Sequence, residues 1–207
     1  MRFNGLVSGG YKSQREFLSR YNGSVSLRIR QFEKADFDTL WRIDQACFDP
    51  QLAYSRPELA FYMRRPGSFT LVAVEDDSHG ADDRRNDDKT NRKVAEEIVG
   101  FIVAEVQRKT GHIITIDVVG KARGSGIGSA LLQAAENQFV RTGATGADLE
   151  TPVNNLPAIR FYKEHGYFVE KTVAGYYSGQ LDALVMTKQL KGAAVKRSVK
   201  SKEETAL

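Results

Sequence analysis

Short segments of the 207-residue chain alternate apolar and polar residues, which is the pattern of half-buried β-strands. Residues 25–30 show this alternation most clearly, and the other segments are rich in Val, Ile and Phe, which favour strands. The pattern predicts seven strands, at residues 25–30, 68–75, 97–108, 111–119, 147–151, 168–174 and 181–188.

Four helices are predicted, and two of them have apolar residues three or four positions apart, which is the spacing of one helix face. In the first, the stripe Phe37, Leu40, Ile43 and Cys47 predicts that Cys47 is a core residue. The other three helices are predicted near Pro57, along the stripe Ile127, Leu131, Ala135 and Phe139, and from Pro157 to just before Gly166. The order β-α-α-β-β-β-α-β-α-β-β predicts an α/β (α+β) fold with one mixed sheet flanked by helices.

A glycine-rich turn, Arg123-Gly124-Ser125-Gly126-Ile127-Gly128, joins a predicted strand to a predicted helix. Such a turn directs backbone N–H groups and the positive end of the helix toward a pyrophosphate. The glycine spacing is not that of the Gly-x-Gly-x-x-Gly dinucleotide fingerprint, although Asp148 stands where a ribose-binding acid would. Ser129-Ala130 follows Gly128, whereas a P-loop ends in Gly-Lys-Ser/Thr. The plain alternative is a flexible connector.

The turn resembles the Gln/Arg-x-x-Gly-x-Gly/Ala acyl-CoA loop of the GNAT acetyltransferases. Downstream, residues 154–167 resemble that family's Asn-x-x-Ala-Ile-x-x-Tyr-x-x-x-Gly-Phe pattern. Tyr176-Tyr177 and residues 182–186 resemble the closing hairpin of N-terminal protein acetyltransferases of the ribosomal-protein-alanine type. The resemblance covers residues 25–190 and is specific because the motifs occur in order.

The resemblance implies a GNAT fold, with a mostly antiparallel seven-stranded sheet, about four helices and a splay between the central parallel strands. It implies acetyl-CoA as co-substrate, and a thioester carbonyl polarised by a backbone N–H near Val118 and Val119. Asn155 matches the asparagine that contacts the CoA arm, although it equally fits a helix N-cap. The implied cofactor-binding residues are Val118, Val119, Arg123, Gly124, Ser125, Gly126, Ile127, Gly128, Ser129, Asn155 and Tyr162.

Two residues are predicted to be catalytic by the same resemblance, and they keep the family's 12-residue separation. Glu150 would be the base, acting through a water on an α-amine whose pKa is about 8, against about 10.4 for lysine. Tyr162, a phenol with a pKa of about 10, would protonate the leaving thiolate. The alternatives are a strand-end glutamate and a core tyrosine. His112 could be a second base, although an ordinary strand histidine is the simpler interpretation.

Substrate specificity is expected to depend on Tyr54, in the connection between the first two helices, and on Tyr176 and Tyr177 in the closing hairpin. Paired hairpin tyrosines could also serve only cross-strand packing. The predicted function is acetylation of a protein N-terminal α-amine, with a ribosomal protein as substrate, by direct attack in a ternary complex. Acetylation of a small amine or a lysine, and a non-catalytic acyl-CoA sensor, are the alternatives.

Composition indicates the cellular location and whether a membrane span or a metal is expected. Cys47 is the single cysteine, so no internal disulfide is expected and a reducing cytoplasm is the simpler location. No apolar run approaches the roughly 18 residues of a membrane span, and no secretory signal is expected. The three histidines are scattered, so no metal is expected.

Charge is unevenly distributed along the chain. Of the formal net charge of +4, residues 1–24 carry +3 and residues 191–207 also carry +3, which leaves about −2 for residues 25–190. The prediction is therefore a basic, flexible N-terminal extension, a domain at 25–190 and a basic C-terminal tail. The tails could attract the ribosome, and no specific nucleic acid is expected as a partner. The highly charged segment 76–95 predicts a disordered loop.

Overall fold

The computed structural model describes residues 25–77 and 96–190. The predicted extension 1–24, the tail 191–207 and all but the first two residues of the predicted loop 76–95 lie outside the described residues. Four helices and two 3-10 turns are found within the described ranges: α1 (Phe37–Cys47), α2 (Arg56–Arg64), α3 (Ile127–Arg141), α4 (Leu156–Glu164), and the turns Lys34–Asp36 and Gly120–Ala122.

Seven strands in the described part of the chain form one sheet, in the order β1-β2-β3-β4-β5-β7-β6. Strand β4 runs parallel to β5, whereas the β1–β2, β2–β3, β5–β7 and β6–β7 pairs are antiparallel. The predicted fold class and element order are therefore confirmed. The strands are β1 (Val25–Gln31), β2 (Ser68–Asp77), β3 (Glu96–Gln107), β4 (Thr110–Val118), β5 (Gly146–Pro152), β6 (Phe168–Tyr177) and β7 (Leu181–Gln189).

Strand ends differ from the predicted ones where backbone pairing overrides side-chain chemistry. Asp76, predicted to start the charged loop, continues β2 because its backbone pairs with Ser26 on one side and Glu96 on the other. Strand β3 stops at Gln107 because Arg108 adopts a left-handed φ of 57°, which turns the chain into β4. Charge alone therefore placed the edge of the loop two residues too early.

By its backbone contacts the chain divides into two compact units. Among the described residues, the first unit holds those up to Glu105 together with Ile113–Ala135, and the second holds Val106–His112 and those from Glu136 onward. The first unit has a core in which the inward faces of α1 and α2 pack on β2 and β3, and this core fixes the connection between α1 and α2. Its buried residues are Leu40, Ile43, Leu59, Val72, Val74, Phe101 and Val103.

The second unit joins the start of β4 to the antiparallel strands β5, β7 and β6. Phe139 of α3 lies against Gly111, where a Cβ atom would stand 2.3 Å from the phenyl ring, so glycine leaves room for the aromatic side chain. Lys188 of β7 donates to both carboxylate oxygens of Glu136 at 2.7 Å. These contacts hold β4 and β7, the two strands on either side of β5, which carries Glu150.

Candidate active site

The glycine-rich turn has the backbone that an anion-binding loop needs. Gly124 and Gly126 take left-handed φ values of 78° and 90°, which glycine adopts without strain. The Gly126 carbonyl accepts the N–H of Ala130 at 3.0 Å and so opens the first turn of the 15-residue helix α3. An α-helix leaves its first N–H groups without an intrahelical acceptor, and its dipole makes that end positive. A Cβ atom at Gly124 would meet nothing within 4 Å, so this position of the turn is open.

The end of β4 distinguishes the two valines predicted to polarise a carbonyl. Val119 donates its N–H to the carbonyl of Val99 on β3 at 3.0 Å. Successive residues of a strand direct their backbone groups to opposite edges, so the N–H of Val118 points away from β3. Val118 is therefore the better placed of the two to donate to a ligand.

Arg123 is anchored to this same strand end. Its Nε atom donates to the Val118 carbonyl at 3.0 Å, and Ser125 Oγ donates to the carbonyl of Ala122 at 2.6 Å. The exposed guanidinium is thus held beside the turn, where an anion would meet it.

Tyr54, a predicted substrate contact, is held by its backbone. Its N–H donates to Oδ2 of the buried Asp44 at 2.9 Å. Its carbonyl accepts from Trp41 Nε1 at 3.2 Å and from Gln45 Nε2 at 2.8 Å. Three α1 side chains therefore clamp both backbone polar groups of one loop residue, and the Tyr54 ring lies 5.1 Å from that of Tyr62.

Burial raises the pKa of Asp44 to about 6. Asp117 of β4 is also buried, and its burial and the nearby Asp44 carboxylate raise its pKa well above the usual range. Thr115 Oγ1 donates to one Asp117 oxygen at 3.0 Å. Ionising either carboxyl therefore opposes ionisation of the other.

Glu150, the predicted base, lies on β5 beside His112 at the start of β4. Glu150 Oε2 is 3.5 Å from His112 Nε2, and the Glu150 side chain is 23% exposed. The other ring nitrogen of His112, Nδ1, is 2.6 Å from Oδ1 of Asp148. One histidine thus bridges two carboxylates that stand two residues apart on the same face of β5. The Glu150 carboxylate is therefore partly exposed and has a titratable ring beside it.

Tyr162, the predicted acid, is buried on α4, with 5% of its surface exposed. Its ring meets those of Phe161 and Tyr167 edge-on, with centroids 5.2 and 5.5 Å away. Burial, followed by the charge of Glu136, raises the pKa of the Tyr167 phenol. The aromatic contacts fix the Tyr162 ring, as either a catalytic or a core tyrosine would require.

Asn155 forms the N-cap of α4, where its Oδ1 accepts the N–H of Ala158 at 3.3 Å. The capping alternative is thus realised in the structure. This bond uses the amide oxygen, and the amide nitrogen of Asn155 is not part of it.

Tyr176 and Tyr177 end β6, and their rings pack edge-on with centroids 5.0 Å apart. The hairpin turns at Ser178 and Gly179, both of which have left-handed φ values. Burial, followed by the charges of Tyr176 and Glu150, raises the pKa of the Tyr177 phenol. Tyr177 thus lies within electrostatic range of Glu150, whereas Tyr176 is 50% exposed.

The predicted residues fall into both units. The turn, Val118 and Tyr54 belong to the first unit, and Glu150, Tyr162, Asn155 and the hairpin tyrosines belong to the second. Sequence reasoning noticed Asp148 only as a possible ribose contact and missed its contact with His112, and it missed Asp44. The period-two spacing of Asp148 and Glu150 is a signal that could have revealed the first, whereas nothing in the sequence joins Asp44 to Tyr54.

Residues 37–167 match the Acetyltransferase (GNAT) family, and the chain belongs to that family. The protein is therefore an N-acetyltransferase of a family that uses acetyl-CoA, as the sequence predicted. In the described part of the chain no helix is long and apolar enough to cross a membrane. Within the same residues, no three His, Cys, Asp or Glu side chains are grouped to hold a metal ion.

Relatives agree with this assignment. An uncharacterized N-acetyltransferase of Methanocaldococcus jannaschii is 29% identical over 162 residues, which are 78% of this chain and 90% of that protein. An N-alpha-acetyltransferase of Sulfurisphaera tokodaii is 34% identical over 107 residues, which are 45% of this chain and 64% of that protein.

Solved structures share the fold. The ribosomal-protein-S18-alanine N-acetyltransferase from Escherichia coli matches with a TM-score of 0.63 at 18% identity, covering 82% of this chain and 97% of that one. Ard1 from Thermoplasma volcanium matches with a TM-score of 0.63 at 25% identity, covering 80% of this chain and 98% of that one.

Proposed function

We propose that this enzyme acetylates the N-terminal α-amine of a protein, with a ribosomal protein as the first substrate to test. The observation that carries the proposal is Glu150, a partly exposed carboxylate with His112 3.5 Å away and Tyr177 in electrostatic range. The similarity to an N-alpha-acetyltransferase of Sulfurisphaera tokodaii supports the same class of substrate.

The backbone of the glycine-rich turn fits the pyrophosphate of CoA. Gly124 and Gly126 both have left-handed φ values, a Cβ atom at Gly124 would meet nothing within 4 Å, and the first turn of α3 follows directly. Residues 123–129 would hold the phosphates, and the Val118 N–H would donate to the acetyl carbonyl. When bound, acetyl-CoA supplies the activated acetyl group.

Glu150 would take the proton from the substrate ammonium, directly or through one water. An α-amine has a pKa of about 8, so near neutral pH a modest base is sufficient to deprotonate it. A lysine amine, with a pKa of about 10.4, is charged far more of the time at the same pH. This difference favours the N-terminus as nucleophile.

Tyr162 would give its phenolic proton to the departing thiolate. Its packing against Phe161 and Tyr167 fixes the ring, so the hydroxyl would not need to be oriented at each turnover. Tyr54, Tyr176 and Tyr177 are the candidates for contacts with the first residues of the substrate. The Asn155 amide nitrogen would donate to the CoA arm.

The test is mass detection of acetylation in a peptide panel. Free peptides would begin with Ala, Ser, Thr, Met or Gly, and N-blocked peptides would offer only lysine amines. We expect acetylation of free N-termini alone, and Glu150→Gln should reduce it by about 10²-fold or more. Glu164→Gln, an exposed change on α4, is the matched control.

Two results would contradict the proposal. Acetylation of the blocked lysine peptides would assign the enzyme to ε-amines. If no peptide in the panel were acetylated although the protein bound acetyl-CoA, the substrate would be a small-molecule amine or the protein would be a non-catalytic sensor. A ribosomal substrate is tested separately, by incubating ribosomal proteins with labelled acetyl-CoA and identifying the modified N-terminus.

A further inference from the structure

His112 lies between two carboxylates, and the two contacts differ in length. Its Nδ1 is 2.6 Å from Asp148 Oδ1, whereas its Nε2 is 3.5 Å from Glu150 Oε2. The short contact requires a hydrogen between the two atoms, and an ionised carboxylate can only accept. Nδ1 therefore carries the hydrogen, which Asp148 accepts.

This bond decides the state of the other ring nitrogen. A neutral imidazole carries one hydrogen, so a hydrogen on Nδ1 leaves a lone pair on Nε2. That lone pair then faces the Glu150 carboxylate, and two acceptors at this distance repel. One added proton on Nε2 replaces the repulsion with a charge-assisted hydrogen bond. The atoms Nε2 and Oε2 together thus favour binding one proton.

We propose that Asp148 is a positioning residue that holds His112 as the Nδ1–H tautomer, so that His112 and Glu150 form a joint site for one proton. The inference rests on the proposed function, in which Glu150 deprotonates the substrate amine. One N–H bond of the substrate ammonium breaks, the proton is bound between Oε2 and Nε2, and the amine keeps the electron pair. The proton then leaves to water, since His112 and Glu150 are 28% and 23% exposed.

Other titratable groups face this cluster. Tyr167 lies within electrostatic range of Asp148, and Tyr177 of β6 lies within range of Glu150. Glu136 of α3 and Tyr162 of α4 act on Tyr167. Burial favours the neutral form of both the Tyr167 and the Tyr177 phenol. The charged groups that contact His112 directly in this cluster are the carboxylates of Asp148 and Glu150.

The tautomer of His112 can be determined by NMR, without measuring enzyme activity. Long-range proton–nitrogen NMR spectra of the ¹⁵N-labelled full chain would be recorded, with the rings assigned from His79→Gln and His165→Gln variants. The wild-type His112 should show a hydrogen on Nδ1 and an unprotonated Nε2 above its titration. Asp148→Ala should shift it toward the Nε2–H tautomer, and Asp148→Glu should restore Nδ1–H at least in part. The proposal would be overturned if His112 of the wild type carried its hydrogen on Nε2. It would also be overturned if Asp148→Ala left the tautomer of His112 unchanged.

Kinetics test the consequence on the peptide that the wild type acetylates best. Asp148→Ala should lower kcat about 10-fold with little change in KM, because an Nε2–H group would then donate to Glu150 and weaken it as a base. Without the Asp148 charge the joint site binds its proton less tightly, so the acid limb of the kcat/KM profile should move to lower pH. Glu170→Gln, an exposed change on β6, is the control and should leave the profile unmoved.

The two proposals fail in different ways. If Glu150→Gln keeps full activity, Glu150 is not the base and the proposed mechanism fails, whatever the tautomer of His112. If Glu150→Gln abolishes activity but Asp148→Ala changes neither kcat nor the acid limb, the base stands and the positioning role of Asp148 is wrong.

Discussion

The Sγ atom of Cys47 lies 3.5 Å from the carbonyl oxygen of Val118, so the single cysteine of the chain is directed at the end of β4. The side chain is partly buried and packs against the core of the first unit, as its helical spacing predicted. Burial, and then the charge of Asp117, raises the pKa of the thiol above its ordinary value. A thiol in this state stays protonated near neutral pH and is a poor nucleophile.

Cys47→Ala should therefore retain most of the wild-type kcat. Direct attack needs no acyl carrier, and a protonated, partly buried thiol is not a good one. The check is intact mass after incubation with acetyl-CoA alone. No acetyl group should remain on the protein, and CoA release should require an amine. A stable acetyl adduct on wild type that disappears in Cys47→Ala would reverse this conclusion.

Tyr162→Phe should lower kcat by about 10²-fold or more while barely changing the affinity for acetyl-CoA, because only the proton donor is lost. Single-turnover kinetics and calorimetric binding would separate the two effects. Tyr62→Phe on α2 is a matched loss of one phenol outside the proposed catalytic pair. Equal turnover in Tyr162→Phe and wild type would exclude the phenol as the acid.

Gly126→Glu should abolish CoA binding. Its φ of 90° disfavours any side chain, and a carboxylate there would stand at the opening of α3, where the pyrophosphate is expected. Gly120→Glu adds the same charge where a Cβ atom meets nothing within 4 Å, and it should leave binding intact. Titration calorimetry with CoA decides the point, and micromolar binding by Gly126→Glu would show that the turn is not the anchor.

Lys188→Met should destabilise the fold by about 2 kcal/mol, because it leaves the Glu136 carboxylate, whose side chain is 8% exposed, without its ion partner. Lys121→Met removes a comparable pair with Glu97, but both of those side chains are about 60% exposed. Solvent screens such a pair, so no measurable change is expected. Urea unfolding of both variants compares the buried ion pair with the exposed one. Equal losses in the free energy of unfolding would contradict the role given to burial.

Asp44→Asn should make the protein more stable at pH 7.5 but not at pH 4.5. The folded-state pKa of about 6 lies above the unfolded value, so the native state binds this proton more tightly. Wild-type stability therefore falls as pH rises from about 4 through about 6, by roughly 3 kcal/mol from this group. The neutral amide carries no such dependence.

Urea unfolding at the two pH values would show the effect as a flatter profile for Asp44→Asn. Asp38→Asn, an exposed change on the same helix, should keep the wild-type slope. A parallel profile for Asp44→Asn would mean that the buried Asp44 carboxyl titrates in the folded protein as it does in the unfolded chain.

The sequence predicted the order of elements because period-two and helical spacings are local properties. It predicted residues 123–128 as a turn because glycines at alternate positions disfavour both a helix and a strand, and in the structure the last two of these residues, Ile127 and Gly128, already belong to α3. It could not predict that Asp148 contacts His112, since the two residues are 36 positions apart in the chain and their contact depends on the register between neighbouring strands. The engagement of the Val119 N–H by Val99 was hidden for the same reason.

Local residue chemistry also misled at one boundary. Asp76 and its neighbours carry the charge of a solvated loop, yet their backbones extend the β2 ladder. Hydrogen bonding between strands does not depend on side-chain charge. Residue composition was therefore a poorer guide to the end of β2 than backbone pairing.

The three α1 side chains that hold the backbone of Tyr54 have a thermodynamic consequence. Fixing the backbone of one residue costs on the order of 1–2 kcal/mol of conformational entropy. At Tyr54 this entropy is lost when the chain folds and not when a substrate arrives. A peptide that contacts Tyr54 therefore meets a surface that is already ordered, and less of its interaction energy is consumed in arranging the protein.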